Sequence, residues 1–362
     1  MATVTPESDA TSAAPRSGDR YGGGVLRCAT IGVGRMGRHH ARVYTQIEGC
    51  RLVAVVDAEA SRREAVADKF ACRALENVDE LLDLGVDAVT VATPTTSHRP
   101  IAEKLLRAGV ACLIEKPLAG SVEDALAIKD LAESTGTVLM VGHIERFNPI
   151  MRAMRASTSD DAFPLIPRFM QIHRVSPMTF RSIDVGVVMD MMIHDLDVVL
   201  MLMDGQEPTE IHAAGVSVIT EHEDLCNAWL TFEKPTGRCV ANVTASRLAL
   251  KTERVARITG ENAYIKIDYG AKTGTIIRRR ANDLQMREVR EQIRRGADLT
   301  DLNWHDLVNV EPLLIDDVEP LLMEVRSFIG AVRTGDRPEI DAEAGFANVR
   351  TAQRIVAAIR GG

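Results

Sequence analysis

Cysteine is sparse and scattered in this chain. The six residues Cys28, Cys50, Cys72, Cys112, Cys226 and Cys239 form no C-x-x-C pair and no short regular spacing. That excludes a zinc knuckle and a disulfide framework, and it leads us to expect reduced thiols in a cytoplasmic protein, with Cys28 and Cys112 as small core residues inside strands. Long apolar runs are also missing, none reaching the roughly 18 residues a membrane span requires. Positive charge is not in excess: the formal net charge is −8, against the basic face that nucleic-acid binding needs. The local cluster Arg278 to Arg280, with Arg294 and Arg295, therefore reads as solvated surface or a substrate-phosphate contact. Residues 1–24 are rich in Ser, Thr, Ala, Pro, Asp and Gly and carry no apolar h-region. They read as a disordered tail, neither signal peptide nor anchor. No internal repeat is visible.

What is present is an ordinary globular composition, 46% hydrophobic and 26% charged over 362 residues, a length that suits about two domains. The chain is organised around Leu26 to Asp57. An apolar strand runs into Gly32, Gly34 and Gly37, spaced G-x-G-x-x-G; a helical pattern follows from about Arg35, and a second strand, Leu52 to Val56, ends on Asp57. In a βαβ dinucleotide fingerprint the first glycine permits the tight turn, the second lets backbone approach a pyrophosphate, and the third lets helix and strand pack closely. The helix opening at about Arg35, with Met36 beside it, points its free N–H groups and positive end at the phosphates. Asp57 suits the ribose hydroxyls of NAD; Arg62 and Arg63 follow within reach of a 2′-phosphate, which keeps NADP open.

Strands and helices then alternate to Val141, which predicts a doubly wound parallel sheet over residues 25–143. Ligands of such sheets bind beyond the carboxyl ends of the strands, which singles out Thr93, Pro94 and His98, then Glu115 and Lys116, then the loop from His143 to Asn148. From 144 the pattern changes to a helix around Met189 to Met203 and a series of alternating strands punctuated by Gly237, Gly260 and Gly270. The expectation is an α+β domain with a mostly antiparallel open sheet over 144–335. The placement of 282–303 stays open. A last helix over 336–362 is expected to pack back on the first domain.

Three constellations can carry chemistry. Lys116, in E-K-P at a strand's carboxyl end, can orient a substrate hydroxyl or stabilise an alkoxide. In D-M-M-I-H-D-L-D, Asp190 and His194 lie one helical turn apart, so the carboxylate can orient an imidazole as general acid/base. The alternatives are a helix-capping aspartate beside a buried histidine, or a metal pair, for which no further His or Cys stands nearby. In Gly142 to Asn148, Glu145, Arg146 and Asn148 would look across a cleft, with Arg146 suited to a phosphate or carboxylate and Asn148 to a sugar hydroxyl. A hinge network of salt bridges and caps fits those residues equally well. His39 and His40 read as structural, although His39 could face the cofactor, and His98 reads as a packing residue at a helix start.

Taken together, G-V-G-R-M-G, A-T-P-T-T-S-H, E-K-P-L, D-M-M-I-H-D-L-D and the closing E-V-R-S-F-I-G-A-V-R-T-G-D-R-P resemble the Gfo/Idh/MocA family over essentially Leu26 to the C-terminus. The resemblance implies a Rossmann domain, a second α/β domain whose open sheet mediates dimers or tetramers, and oxidation or reduction of a sugar or cyclitol hydroxyl with NAD or NADP. It matches Lys116, His194 and Asp190 to the family's lysine, acid/base histidine and supporting aspartate. The runs V-G-H-I-E-R-F-N-P and R-S-I-D-V-G-V-V-M-D-M-M-I-H-D-L-D are more narrowly similar to the UDP-N-acetylglucosamine 3-dehydrogenase branch, for which Arg146, Arg174 and Arg181 would meet the diphosphate. An inositol or free-sugar dehydrogenase, and a ligand sensor without turnover, are the alternatives.

Overall fold

The computed structural model describes residues 24–158, 165–180 and 183–361. The tail expected over 1–24 lies outside the described residues except for Gly24, and so does Arg181. The first half builds a six-stranded sheet from β1 (Leu26–Ile31), β2 (Cys50–Val56), β3 (Arg73–Leu75), β4 (Ala88–Val91), β5 (Ala111–Glu115) and β6 (Leu139–Gly142), in the order β3-β2-β1-β4-β5-β6. Every pairing is parallel. Helices on both faces explain why β4 and β6 are buried at every position: such strands must be apolar throughout instead of alternating. The order reverses between β1 and β4, and the crevice beyond their carboxyl ends is where a ligand can enter. The short β3 had no counterpart in the sequence reading, because three residues with only Leu75 buried leave no pattern to detect.

The second half forms an eight-stranded sheet from β7 (Pro167–Val175), β8 (Glu210–Val216), β9 (Leu225–Lys234), β10 (Gly237–Ser246), β11 (Glu253–Gly260), β12 (Ala263–Asp268), β13 (Thr273–Arg279) and β14 (Val308–Pro312). Its order is β14-β13-β12-β11-β7-β10-β9-β8. All pairs are antiparallel except β7 with β10. Accessibility alternates along β8, between exposed and half-buried positions, and along most of β7, between buried and half-buried ones, because only one face is covered by helices. The stretch whose placement the sequence left open holds the helix Asp283–Arg294, started by a capping box of Asn282 and Gln285.

Two apolar cores result. The division expected after residue 335 falls too late. Leu321, Val325, Phe328, Ile329 and Val332 of the helix Pro320–Thr334 already belong to the first core. The final helix, Ala342–Gly361, does more than pack back: Phe346 and Val349 enter the first core, Ala347, Ala352 and Ile355 the second. It is a wedge shared by both halves. That sharing fixes the crevice between the sheets, and the site lies there.

Candidate active site

At the glycine-rich loop each glycine has a different reason to lack a side chain. Gly32 has φ +80° and a Cβ there would lie 2.7 Å from the Ala92 carbonyl oxygen; at Gly37 it would lie 1.7 Å from the Gly32 oxygen. At Gly34 a Cβ would meet no protein atom within 4 Å, so the protein itself does not require glycine there. The space is open, beside the N-terminus of the helix Gly37–Tyr44, whose preceding residue Met36 supplies no side-chain cap. Free N–H groups, a clear approach and a positive helix end fit a pyrophosphate. Asp57 closes the cradle: its Oδ2 accepts from the Val33 N–H at 2.9 Å and its Oδ1 from the Glu59 N–H at 3.0 Å. Each carboxylate oxygen keeps a second lone pair for a ribose hydroxyl. The cations that could have met a 2′-phosphate are engaged: Arg63 donates to the Asp57 and Ala58 carbonyls, and Arg62 pairs with Glu59.

Beyond the loop, β5 delivers Glu115 and Lys116 to the crevice. Glu115 Oε1 sits 2.9 Å from Nε2 of the fully buried His40. Burial alone would raise its carboxyl pKa, but the His40 contact and the charges of His40 and Lys116 more than offset this and hold it low. Sequence reasoning saw His40 only as structural. The signal was its place on the buried face of its helix, one turn before Tyr44. The Lys116–Pro117 peptide is cis. Lys116 Nζ donates to the main-chain carbonyl of Asp190 at 2.8 Å and stands 3.7 Å from its Oδ1. Burial lowers the ammonium pKa, against the pull of Asp190 and Glu115.

Asp190 therefore supports Lys116 and does not orient His194, whose buried Nδ1 has no hydrogen-bond partner among the described residues. The reason is local: Val188–Met192 is a π-helical turn, wider than an α-turn, and it shifts the phase that would have aligned positions i and i+4. Burial, then the positive charges of Lys116 and Arg174, hold the His194 pKa well below 6.5, so the imidazole is neutral at pH 7.

Other expectations need correcting. Arg146 does not look across the cleft. Its Nε and Nη2 bind Asp197 Oδ2 and Oδ1 at 2.8 and 2.6 Å, and its Nη1 donates to the Glu339 carbonyl. Asn148 starts the helix Pro149–Thr158, with Oδ1 accepting from Ile150 N–H and Nδ2 donating to Glu145. Arg174 reaches the cavity wall but is held by Asp195 through two bonds of 2.8 Å and by Glu145 through one of 3.0 Å. The acids that do this, Asp195 and Asp197, sit two apart on one helix. They therefore face different ways, one toward β7 and the other toward the junction. His98 is buried, its Nδ1 facing the Pro117 carbonyl and its Nε2 the Thr93 carbonyl, so it braces the two loops. His39 is exposed on its helix. No group of three or more His, Cys, Asp or Glu that could hold a metal occurs among the described residues.

A cavity of about 580 Å³ lies between the two sheets, walled by Arg35 and Met36 of the glycine-rich loop, Glu115 at the end of β5 and Lys116 just after it, and Asp190 and His194 of the facing helical segment. A second, of about 540 Å³, shares Lys116 and Asp190 and reaches past Pro94 toward Glu223 and Gln353. Lys116 and His194, which come from opposite halves of the molecule, both line the first of these cavities.

Residues 26–143 match the oxidoreductase family with an NAD-binding Rossmann fold, and residues 167–266 match the GFO/IDH/MocA C-terminal domain. A UDP-N-acetylglucosamine 3-dehydrogenase of Acidithiobacillus ferrooxidans is 40% identical over 67% of this chain and 74% of its own. The chain belongs to the Gfo/Idh/MocA family. Solved structures agree: that of a UDP-N-acetylglucosamine 3-dehydrogenase from Acidithiobacillus ferrooxidans superposes with a TM-score of 0.80 at 33% identity, covering 93% of this chain and 98% of that one. An inositol 2-dehydrogenase of Rhizobium meliloti is 32% identical over 54% of this chain and 60% of its own. This Gfo/Idh/MocA protein is accordingly an NAD-dependent oxidoreductase acting on a CH–OH group of a small, sugar-like substrate, on the two-sheet fold expected for it. No helix among the described residues is long and apolar enough to cross a membrane.

Proposed function

We propose that the protein oxidises a ring hydroxyl of a nucleotide sugar, specifically C3 of UDP-N-acetylglucosamine, giving the 3-keto sugar. The observation that carries this reading is the pairing of Lys116 and His194 on one cavity wall opposite the glycine-rich loop, in a chain whose likeness to a UDP-N-acetylglucosamine 3-dehydrogenase extends over both halves. When bound at Gly32 to Gly37, NAD supplies the hydride acceptor. The neutral His194 accepts the proton of the reacting hydroxyl, a role its depressed basicity allows at pH 7. The Lys116 ammonium, held by the Asp190 carbonyl, stabilises the negative charge that develops on that oxygen. Asp190 keeps Lys116 in place, and the His40–Glu115 contact braces the strand end that presents it.

The test is turnover of UDP-N-acetylglucosamine, N-acetylglucosamine and myo-inositol by the purified chain with NAD, followed by NADH absorbance. The nucleotide sugar should have the highest kcat/KM, and Lys116→Met or His194→Asn should each lower kcat by about 10²- to 10⁴-fold, with NAD still bound by the His194 variant. A higher kcat/KM on myo-inositol would instead establish a polyol dehydrogenase, as the inositol 2-dehydrogenase likeness would have it. NAD binding with no turnover of any of the three would favour a sensor.

A further inference from the structure

Each acidic side chain on the wall of the larger cavity already has its own cation or donor. Glu115 meets His40, Glu145 meets Arg174 and Asn148, and Asp190 lies beside Lys116. Two of the arginines there are likewise engaged: Arg174 by Asp195 and Glu145, and Arg247 by the Val185 carbonyl at 2.6 Å, with Asp224 at 3.6 Å. Arg254 differs, because its guanidinium has neither an ion pair nor a hydrogen bond among the described residues. It stands on β11 directly opposite Arg174 of β7, so both side chains leave the same face of the sheet. Arg174 is already matched by Asp195 and Glu145, so of the two guanidiniums Arg254 is the one open to an incoming anion. The cavity wall next to Arg254 adds the hydroxyls of Ser176, Thr179 and Thr252. Arg35, the other arginine of the cavity with no hydrogen bond or ion pair among the described residues, lines both this cavity and the smaller one beside Ser61 and Arg62; it therefore stands on the cofactor's side.

We propose that Arg254 anchors a phosphoryl group of the substrate, gripping it against the second sheet while the reacting sugar carbon lies at Lys116 and His194. This rests on the nucleotide-sugar reading and replaces Arg146 and Arg174, which their buried partners hold, as the source of the cation. A guanidinium offers two parallel N–H donors to phosphate oxygens, which a lysine cannot reproduce. The anchor would make the diphosphate, and not the sugar alone, the main source of affinity, so that neutral sugars bind weakly.

The experiment titrates UDP into the NAD-loaded full chain by calorimetry, for wild type, Arg254→Met and Arg254→Lys. Loss of hydrogen bonds to a charged group, about 1.5–3 kcal/mol, predicts UDP binding weakened about 10- to 100-fold in the Met variant. The Lys variant should be partly rescued, with NAD affinity and melting temperature unmoved because Arg254 is exposed and its guanidinium makes no hydrogen bond or ion pair among the described residues. KM for UDP-N-acetylglucosamine should rise in step, while KM for N-acetylglucosamine should not. Wild-type UDP affinity in the Met variant would overturn the proposal even where UDP-N-acetylglucosamine is turned over. So would a parallel loss of NAD affinity or melting temperature, which would make the effect one of folding. A wild-type protein that ignores UDP and oxidises a neutral polyol would overturn both this proposal and the nucleotide-sugar reading.

Discussion

Replacing Arg146 separates a structural role from a ligand-binding one. Its guanidinium makes two bonds to Asp197, and the two side chains are only 9% and 1% exposed. Asp197 belongs to the helix Ile193–Leu202, whose apolar residues sit in the second core, whereas Phe147, next to Arg146, sits in the first. The pair therefore ties the two halves together. Arg146→Met would leave a buried carboxylate without its cation, a change that costs about 3–5 kcal/mol. At roughly 2–4 °C per kcal/mol, the melting temperature should fall by about 6–20 °C. The double variant Arg146→Met/Asp197→Leu removes both charges at once, and it should recover most of that loss, because a buried ion pair is commonly no better than an apolar pair of similar volume. Calorimetric melting of the three proteins measures this, and substrate KM measured well below the transition completes it. If Arg146→Met melted with the wild type while KM rose tenfold or more, the guanidinium would be facing a ligand and the reasoning would fail.

Two further outcomes follow from the same physical reading. Gly34→Ala should fold and melt like the parent but bind NAD at least tenfold more weakly, since its methyl enters open space next to the helix N-terminus; Gly37→Ala, with its Cβ driven to 1.7 Å from the Gly32 oxygen, should lose stability as well, and thermal melts with NAD titrations distinguish them. Glu324 is fully buried, neither carboxyl oxygen has a hydrogen-bond partner among the described residues, and burial, then the charges of Glu115 and Asp197, push its pKa well above 4.5. The folded chain therefore holds this proton after the unfolded chain has released it, so its contribution to stability is complete below pH 4.5 and declines as pH rises toward the folded value. Glu324→Gln keeps the shape without the ionisation: urea unfolding should show it stabilised at pH 8 and nearly neutral at pH 4.5, and an equal effect at both pH values would refute the assignment.

What the sequence by itself determined was whatever depends on neighbours along the chain. The G-x-G-x-x-G turn, the acid at the end of β2, and the lysine at the end of β5 each follow from a strand, its terminus and the residue type found there. They could be read without knowing what stood opposite. The two classes of sheet were equally legible, because burial on both faces and burial on one face leave different apolar patterns. The tertiary structure alone decided the partners of the charged residues. Asp190 looked like the companion of His194 until a π-turn altered the phase and gave it to Lys116; Arg146 and Arg174 looked available for a substrate until Asp195 and Asp197 reached them from another element. The final helix, assigned by its pattern to one half, serves both. Charge pairing and wedge packing are settled by which surfaces meet in space, at separations along the chain that reach 277 residues for Arg42 and Glu319, and no local spacing encodes that meeting.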